Sequence, residues 1–226
     1  MKLTIHGAIV SPWVRRLMLT CEEKGLAYDH INVNPLGEPD PEFLKISPLG
    51  KIPVLEVDGR FMPDSLAACA FLESAAPSPA LFPSEGWDHG WMLWLCDYLG
   101  TGLFSRVEAP IFINRFVNPN FLGKESDEAA VDAAFELIPR YFGYLEEQLA
   151  HGKPYMLGDQ LTLADLTSAS VFVNFAHAGV AVDRAAYPRL ADHVDRMFAR
   201  ASFKAIFERE RAVFGKISPL FAQETA

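Results

Sequence analysis

Three prolines within seven residues, Pro77, Pro79 and Pro83, part this chain into two stretches that follow different periodicities. Proline fixes its own φ and removes a backbone donor, so such a cluster reads as a linker between structural units. Upstream of it the apolar pattern alternates between strand and helix. Lys2–His6 places Leu3 and Ile5 on one face, as a half-buried strand does. Pro12–Gly25 reads as a helix that opens on Ser11-Pro12, a favoured cap and first position, and stops at Lys24-Gly25. Tyr28–Val33 is a second strand. After it come a loop with Pro35, Gly37, Pro39 and Pro41 and a short helix at Glu42–Ile46. Ile52–Val57 and Arg60–Met62 flank Asp58-Gly59, a strong hairpin signal, and Asp64–Ala76 is helical again. The predicted order is β-α-β-α-β-β-α.

Downstream of the prolines no strand is predicted. Trp87, Trp91, Trp94 and Tyr98 recur at helical spacing on one face. Asp127–Ala150 reads as one long helix. Thr162-Leu163-Ala164-Asp165 is a capping box opening a further helix, and Pro188–Ala201 and Ser202–Phe214 close the series. The predicted organisation is a small α/β domain over residues 1–76, a linker over 77–86 and an all-helical domain over 87–226.

Composition narrows the function classes. There are 20 basic against 29 acidic residues, a net charge of -9, which argues against a nucleic-acid partner and an anionic membrane surface. Leu166–Val182 is 17 residues long without a charge, yet it is short for a membrane span and holds Thr167, Ser168, Ser170, Asn174 and His177. A helix buried in a protein core is the expectation. Cys21, Cys69 and Cys96 are odd in number and form no CxxC pair, which argues against a disulfide framework or thiolate metal site and for a reducing compartment. The histidines show no HExxH spacing, and Met1–Trp13 lacks the long apolar run of a signal peptide.

Four segments fall on this layout: Ser11-Pro12-Trp13-Val14-Arg15-Arg16 with Glu22-Glu23-Lys24-Gly25; Ser47-Pro48-Leu49-Gly50-Lys51-Ile52-Pro53-Val54-Leu55; Asp64-Ser65; and Leu161-Thr162-Leu163-Ala164-Asp165. With these spacings and this domain order, the chain resembles the cytosolic glutathione transferase superfamily, in its serine-type, bacterial or theta-like form. The resemblance implies an α/β plus all-α fold, with a thioredoxin-like βαβαββα domain followed by a helical bundle. It also implies glutathione as co-substrate, a small hydrophobic electrophile as its partner, a homodimer and a cytoplasmic setting.

Each segment has a structural reading beside the implied one. Ser11 fits an N-cap, accepting from an early helical amide. The resemblance makes it the group that donates to the glutathione sulfur and favours the thiolate, at a helix N-terminus that already attracts anions. Ile52-Pro53 reads locally as a trans bond ending an edge strand. The resemblance makes the bond cis, with the Ile52 backbone pairing to the cysteinyl residue and Lys51 reaching the glycine carboxylate. Asp64-Ser65 fits a cap pair. The resemblance has Ser65 holding the γ-glutamyl carboxylate and Asp64 the ammonium. Thr162 and Asp165 are assigned to folding.

Two features depart from the family pattern. Glu38, Asp40 and Glu42 stand where relatives offer basic or amide groups to the glycine carboxylate. The tract Phe104–Phe121 carries Phe112, Phe116 and the basic Arg106 and Arg115, either as core or as the wall of an apolar acceptor site. Trp87, Trp91 and Trp94 are read as core or dimer interface, Arg15 and Arg16 as structural ion pairs with a place near the thiolate as the alternative for one of them, and the cysteines as small buried hydrophobes. The implied activity is attack of a glutathione thiolate on an apolar electrophile without a metal. The alternatives are a glutathione-dependent lyase, isomerase or dehalogenase on the same site, or a non-catalytic module on the same fold.

Overall fold

The alternation at the N-terminus becomes β1 (Leu3–His6), whose Leu3 and Ile5 are buried on one face. α1 (Pro12–Lys24) follows with Pro12 in its first turn. It ends at Gly25, which takes the left-handed φ of 64° while the Leu26 amide returns to the Cys21 carbonyl at 2.9 Å. Then come β2 (Asp29–Ile31), α2 (Pro41–Ile46), β3 (Val54–Val57), β4 (Arg60–Pro63) and α3 (Ser65–Ala75), in the predicted order. The computed structural model describes residues 1–38 and 40–222, so Pro39 of the predicted loop lies outside the described residues. The chain divides into two compact units, Met1–Phe82 and Pro83–Ala226.

In the first unit the sheet order is β2-β1-β3-β4, with β1 parallel to β2 and both other pairings antiparallel. The hairpin signal is realised: Asp58 has φ 49° and Gly59 φ 82°, the left-handed pair that a two-residue turn of this hand requires. Register then aligns one row across the sheet. His6 pairs with Ile31 on one side and Val54 on the other, and Val54 pairs with Pro63. Four connecting segments therefore meet the sheet at the same end. α1 and α3 pack on each other and bury Leu17, Met18, Ala68 and Leu72. Cys21 and Cys69 lie in this layer, and burial pushes the Cys21 thiol pKa upward.

The Lys24 ammonium is fully buried at the end of α1. It donates to the carbonyls of Ala76 at 2.7 Å and Pro79 at 2.9 Å and pairs with Glu73 Oε2 at 2.7 Å. Its three donors have three acceptors, which is the condition for a charge to persist out of water.

The second unit is helical throughout, apart from one isolated bridge between Tyr155 and Gly158 among the described residues. α4 (Gly86–Asp97) runs on through wider, π-wound turns at Tyr98–Glu108, a short α5 (Ala109–Phe112), and π-wound turns again at Ile113–Leu122. Ser105 Oγ, for example, donates to the Gly100 carbonyl five residues back. The predicted helix Asp127–Ala150 is two helices, α6 (Glu128–Phe135) and α7 (Ile138–Gln148). Pro139 has no N–H and its ring crowds the carbonyl four residues back, so one helix stops and another restarts with proline in its first turn.

α8 (Leu163–His177) lies at the centre, buried nearly all round, against α4, α5 and the following helices α9 (Pro188–Phe198) and α11 (Pro219–Ala222). α10 (Ala201–Phe214) packs beside α9. The capping box forms, with Asp165 Oδ2 accepting from the Thr162 amide at 2.8 Å and its hydroxyl at 3.0 Å. No helix among the described residues is long and apolar enough to cross a membrane.

Candidate active site

The aligned row Ile31–His6–Val54–Pro63 sets the geometry. Just beyond it lie Gly7, leading to Ser11 and α1; Pro53, leading back to Ile52; and Asp64, opening α3. Gly7 is the point of closest approach. A Cβ there would stand 2.5 Å from Val14 Cγ2 and 3.3 Å from Ile52 Cβ, so the lack of a side chain lets α1 and the Ile52 segment close together.

Ser11 has the extended backbone of a cap (φ -70°, ψ 127°), yet its hydroxyl makes no capping hydrogen bond. The local expectation of a side-chain cap is therefore corrected. The half-buried hydroxyl sits at the N-terminus of α1, where early amides lack intrahelical acceptors and favour an anion. The Ile52–Pro53 bond is cis, as the resemblance implied. Ile52 lies outside the paired positions of the sheet, which begin at Val54. Its lead-in is fixed by Ser47, whose hydroxyl donates to the Lys51 carbonyl at 2.7 Å. The Lys51 side chain is exposed.

Asp64 holds φ 85°, a region where non-glycine residues are strained by about 1–3 kcal/mol. Its Oδ1 accepts from the amides of Leu66 at 2.8 Å and Ala67 at 3.0 Å. One carboxylate oxygen thus caps α3, which satisfies the structural reading. Ser65 is 3% exposed and its hydroxyl accepts a short hydrogen bond from Arg16 Nη2. Arg16 is itself buried, with its guanidinium 5.0 Å from the centre of the Trp13 ring. A cation from α1 is thereby held beneath the N-terminus of α3, a combination suited to a carboxylate. Arg16 is the contributor that sequence reasoning assigned first to a structural ion pair, with a place near the thiolate as the alternative for one of the two arginines. Its signal was its place five residues after Ser11, on the helix that Ser11 opens. The neighbouring Arg15 turns back to the Val10 carbonyl at 3.3 Å.

The acidic loop is partly self-contained. Asp40 accepts from the Glu42 amide at 2.8 Å, and Glu42 pairs with Lys45 at 2.7 Å. In the second unit Phe112 and Phe116 stack at 5.1 Å in the core, and Phe116 meets His177 and Phe214. Phe121 packs on Phe116 and Phe214 but is partly exposed. The core alternative for the tryptophans is corrected for two of them: Trp87 is 73% exposed and Trp94 45%. Trp87 stacks on Trp91, and Trp94 Nε1 donates to the Tyr144 hydroxyl at 3.0 Å. Burial and the nearby Tyr141 and Tyr144 push the Tyr98 hydroxyl up to about 12. Among the described residues no His, Cys, Asp and Glu group is placed to hold a metal ion.

Residues 5–80 match the family model of the glutathione S-transferase N-terminal domain, and residues 104–201 match that of the C-terminal domain. The chain is 32% identical over 170 residues to a zeta-class glutathione S-transferase of Euphorbia esula, covering 73% of this chain and 72% of that one. It is 25% identical over 166 residues to glutathione S-transferase omega-1 of Rattus norvegicus, covering 73% of this chain and 63% of the relative's length. A solved glutathione S-transferase from Sinorhizobium meliloti 1021 shares the fold with TM-score 0.85 at 20% identity, covering 97% of this chain and 96% of that one. Two domain matches in the family's order, and a relative alike over most of both chains, make this chain a member of the glutathione S-transferase family.

Proposed function

We propose that the protein is a serine-type glutathione transferase that joins the glutathione thiolate to a small apolar electrophile. The observation that carries the reading is the alignment of Gly7–Ser11, Ile52–Pro53 and Asp64–Ser65 at one end of the sheet, with Arg16 under Ser65. In this reading the γ-glutamyl carboxylate rests on the Ser65 amide, with Arg16 supplying positive charge. The outer oxygen of Asp64 takes the ammonium, the cysteinyl backbone pairs with Ile52 beside Pro53, and Lys51 is the cation nearest the glycine end. The Ser11 hydroxyl donates to sulfur. Each unit by which it lowers the thiol pKa corresponds to about 1.4 kcal/mol in favour of the thiolate.

The thiolate attacks an electrophilic carbon, a carbon–sulfur bond forms, and the leaving group departs with its electron pair. The chain's own contribution is thiolate stabilisation and orientation. The homodimer, the cytoplasmic setting, a role in detoxification and the absence of nucleic-acid and membrane partners belong to the same proposal.

Calorimetry with glutathione, run beside conjugation of an aryl halide, tests it. Binding with conjugation is expected. Binding without conjugation would move the reading to glutathione-dependent lyase, isomerase or dehalogenase chemistry. No binding at millimolar glutathione would overturn it.

A further inference from the structure

Three polar contacts join α1 to α3, and they share one register. Arg16 Nη2 donates to Ser65 Oγ. One turn on, Thr20 Oγ1 lies 3.2 Å from Cys69 Sγ. A further turn on, Lys24 Nζ pairs with Glu73 Oε2 at 2.7 Å. In each pair the partners stand 49 positions apart, and the pairs follow one another at four-residue steps. A constant offset over two turns means that the helices run parallel and in step. Arg16, Thr20, Lys24, Ser65 and Cys69 are all buried, in a layer otherwise made of Leu17, Met18, Ala68 and Leu72.

The donor and acceptor roles follow from the chemistry of each group. A guanidinium only donates, so Ser65 Oγ is the acceptor and the hydroxyl's own hydrogen is left for another group. Thr20 Oγ1 donates its one hydrogen to the Arg16 carbonyl at 2.9 Å, so in the middle pair the Cys69 thiol donates. Arg16 is therefore held from below through its carbonyl and reaches across to α3 through its side chain. Moving α3 by one turn along α1, about 5.4 Å, would set Arg16 opposite Cys69 and Thr20 opposite Glu73, and would leave Lys24 past the end of the helix.

We propose, on the glutathione reading above, that this ladder makes Arg16 a positioning residue for the thiol substrate. It fixes the height of Ser65 beside Ser11, so that the substrate's α-carboxylate is met at one set distance from its sulfur. Ser11 opens α1 and Ser65 is the first residue of α3, so the register of the two helices is the spacing between the two ends of the site. Apolar contacts alone permit small slips, whereas buried polar pairs hold a register at some cost in stability. Asp64 takes the amides of Leu66 and Ala67 and not that of Ser65. The Ser65 amide and the hydroxyl hydrogen that Arg16 leaves over then both donate to the carboxylate. The ladder thus selects thiols that carry a carboxylate at this spacing.

Calorimetry on the intact protein compares glutathione with its 4-aminobutyryl analogue, which keeps the amine, the cysteine and the glycine but lacks the α-carboxylate. Arg16→Met is expected to weaken glutathione about 10- to 100-fold, the range of a hydrogen bond to a charged group, and to leave the analogue's affinity unchanged. Arg16→Lys keeps the charge without the fork and is expected to lose less. Thr20→Val, fully buried one turn below Arg16, is expected to lower the same ratio of affinities by a smaller factor. With Ser65→Ala as background, Arg16→Met should cost less than it does alone. In turnover, KM for glutathione should rise more than kcat falls. If Arg16→Met does not fold, Arg16→Lys and Thr20→Val decide by the same ratio. Folded variants that weaken both ligands equally, or neither, would overturn the proposal, as would a wild type that binds the two ligands alike. A wild type that binds no glutathione overturns the functional reading itself, and the ladder's role falls with it.

Discussion

Gly7→Ala is the smallest change that reaches the whole site. The added methyl would stand 2.5 Å from Val14 Cγ2 and 3.3 Å from Ile52 Cβ. Carbon atoms rest about 3.5–4.0 Å apart, so Val14 must retreat by about 1 Å, carrying the first turn of α1 away from the Ile52 segment. Overpacking of this kind costs about 1–3 kcal/mol. The same shift moves Ser11 relative to Ile52, and a misplacement near 1 Å at a reacting centre lowers rate by about 10²-fold. Urea unfolding and aryl-halide conjugation should therefore show both a lower midpoint and a lower kcat/KM. Val14→Ala removes the clashing Cγ2, so the double variant should regain activity relative to Gly7→Ala alone. A Gly7→Ala protein with an unchanged midpoint and kcat/KM, or a double variant no better than the single, would refute the close-approach argument.

Ser11→Ala should lower turnover and raise the apparent pKa of the pH–rate profile with little change in glutathione affinity; an unchanged profile removes Ser11 from the chemistry. Lys24→Met strands the Glu73 carboxylate and the Ala76 and Pro79 carbonyls, and should lower unfolding free energy in urea by about 3 kcal/mol, toward the low end for a broken buried pair because Glu73 is partly hydrated. A loss below about 1 kcal/mol would mean that those acceptors find water. His193 on α9 is fully buried and binds its proton less readily when folded than when unfolded, so its contribution is fully present above about pH 6.5. It is lost as pH falls below that value toward the depressed folded pKa, and His193→Leu should remove this part of the acid slope in urea titrations.

Local grammar carried most of the fold into the sequence. The Leu3 and Ile5 alternation, the Asp58-Gly59 turn, the Gly25 stop and the Thr162 to Asp165 box each depend on residues within a few positions of one another. The cis Ile52–Pro53 bond was legible through the family pattern and against local preference. The break at Glu136–Leu137 escaped notice because apolar spacing continues on both sides of Pro139 and hides the lost hydrogen bond. Arg16 and Lys24 were illegible for another reason. Their partners lie 49 and 52 residues away, and nothing in the local pattern distinguishes a buried, saturated cation from an exposed one. Trp87 and Trp94 mislead in the opposite sense, since helical spacing of aromatics marks a face without saying whether anything in the same chain covers it.

The Lys24 clamp also sets where the first unit can be separated from the rest. A fragment ending at Ala76 would keep the Lys24–Glu73 pair but lose the Pro79 carbonyl, the Leu81 amide that also donates to Glu73, and the buried Leu81 and Phe82 side chains. One ammonium hydrogen would then face an apolar layer, and the last turn of α3 would end in a fraying terminus. Expressed alone, the thioredoxin-like unit should fold when it runs to Phe82 and aggregate when it stops at the last residues of the helix.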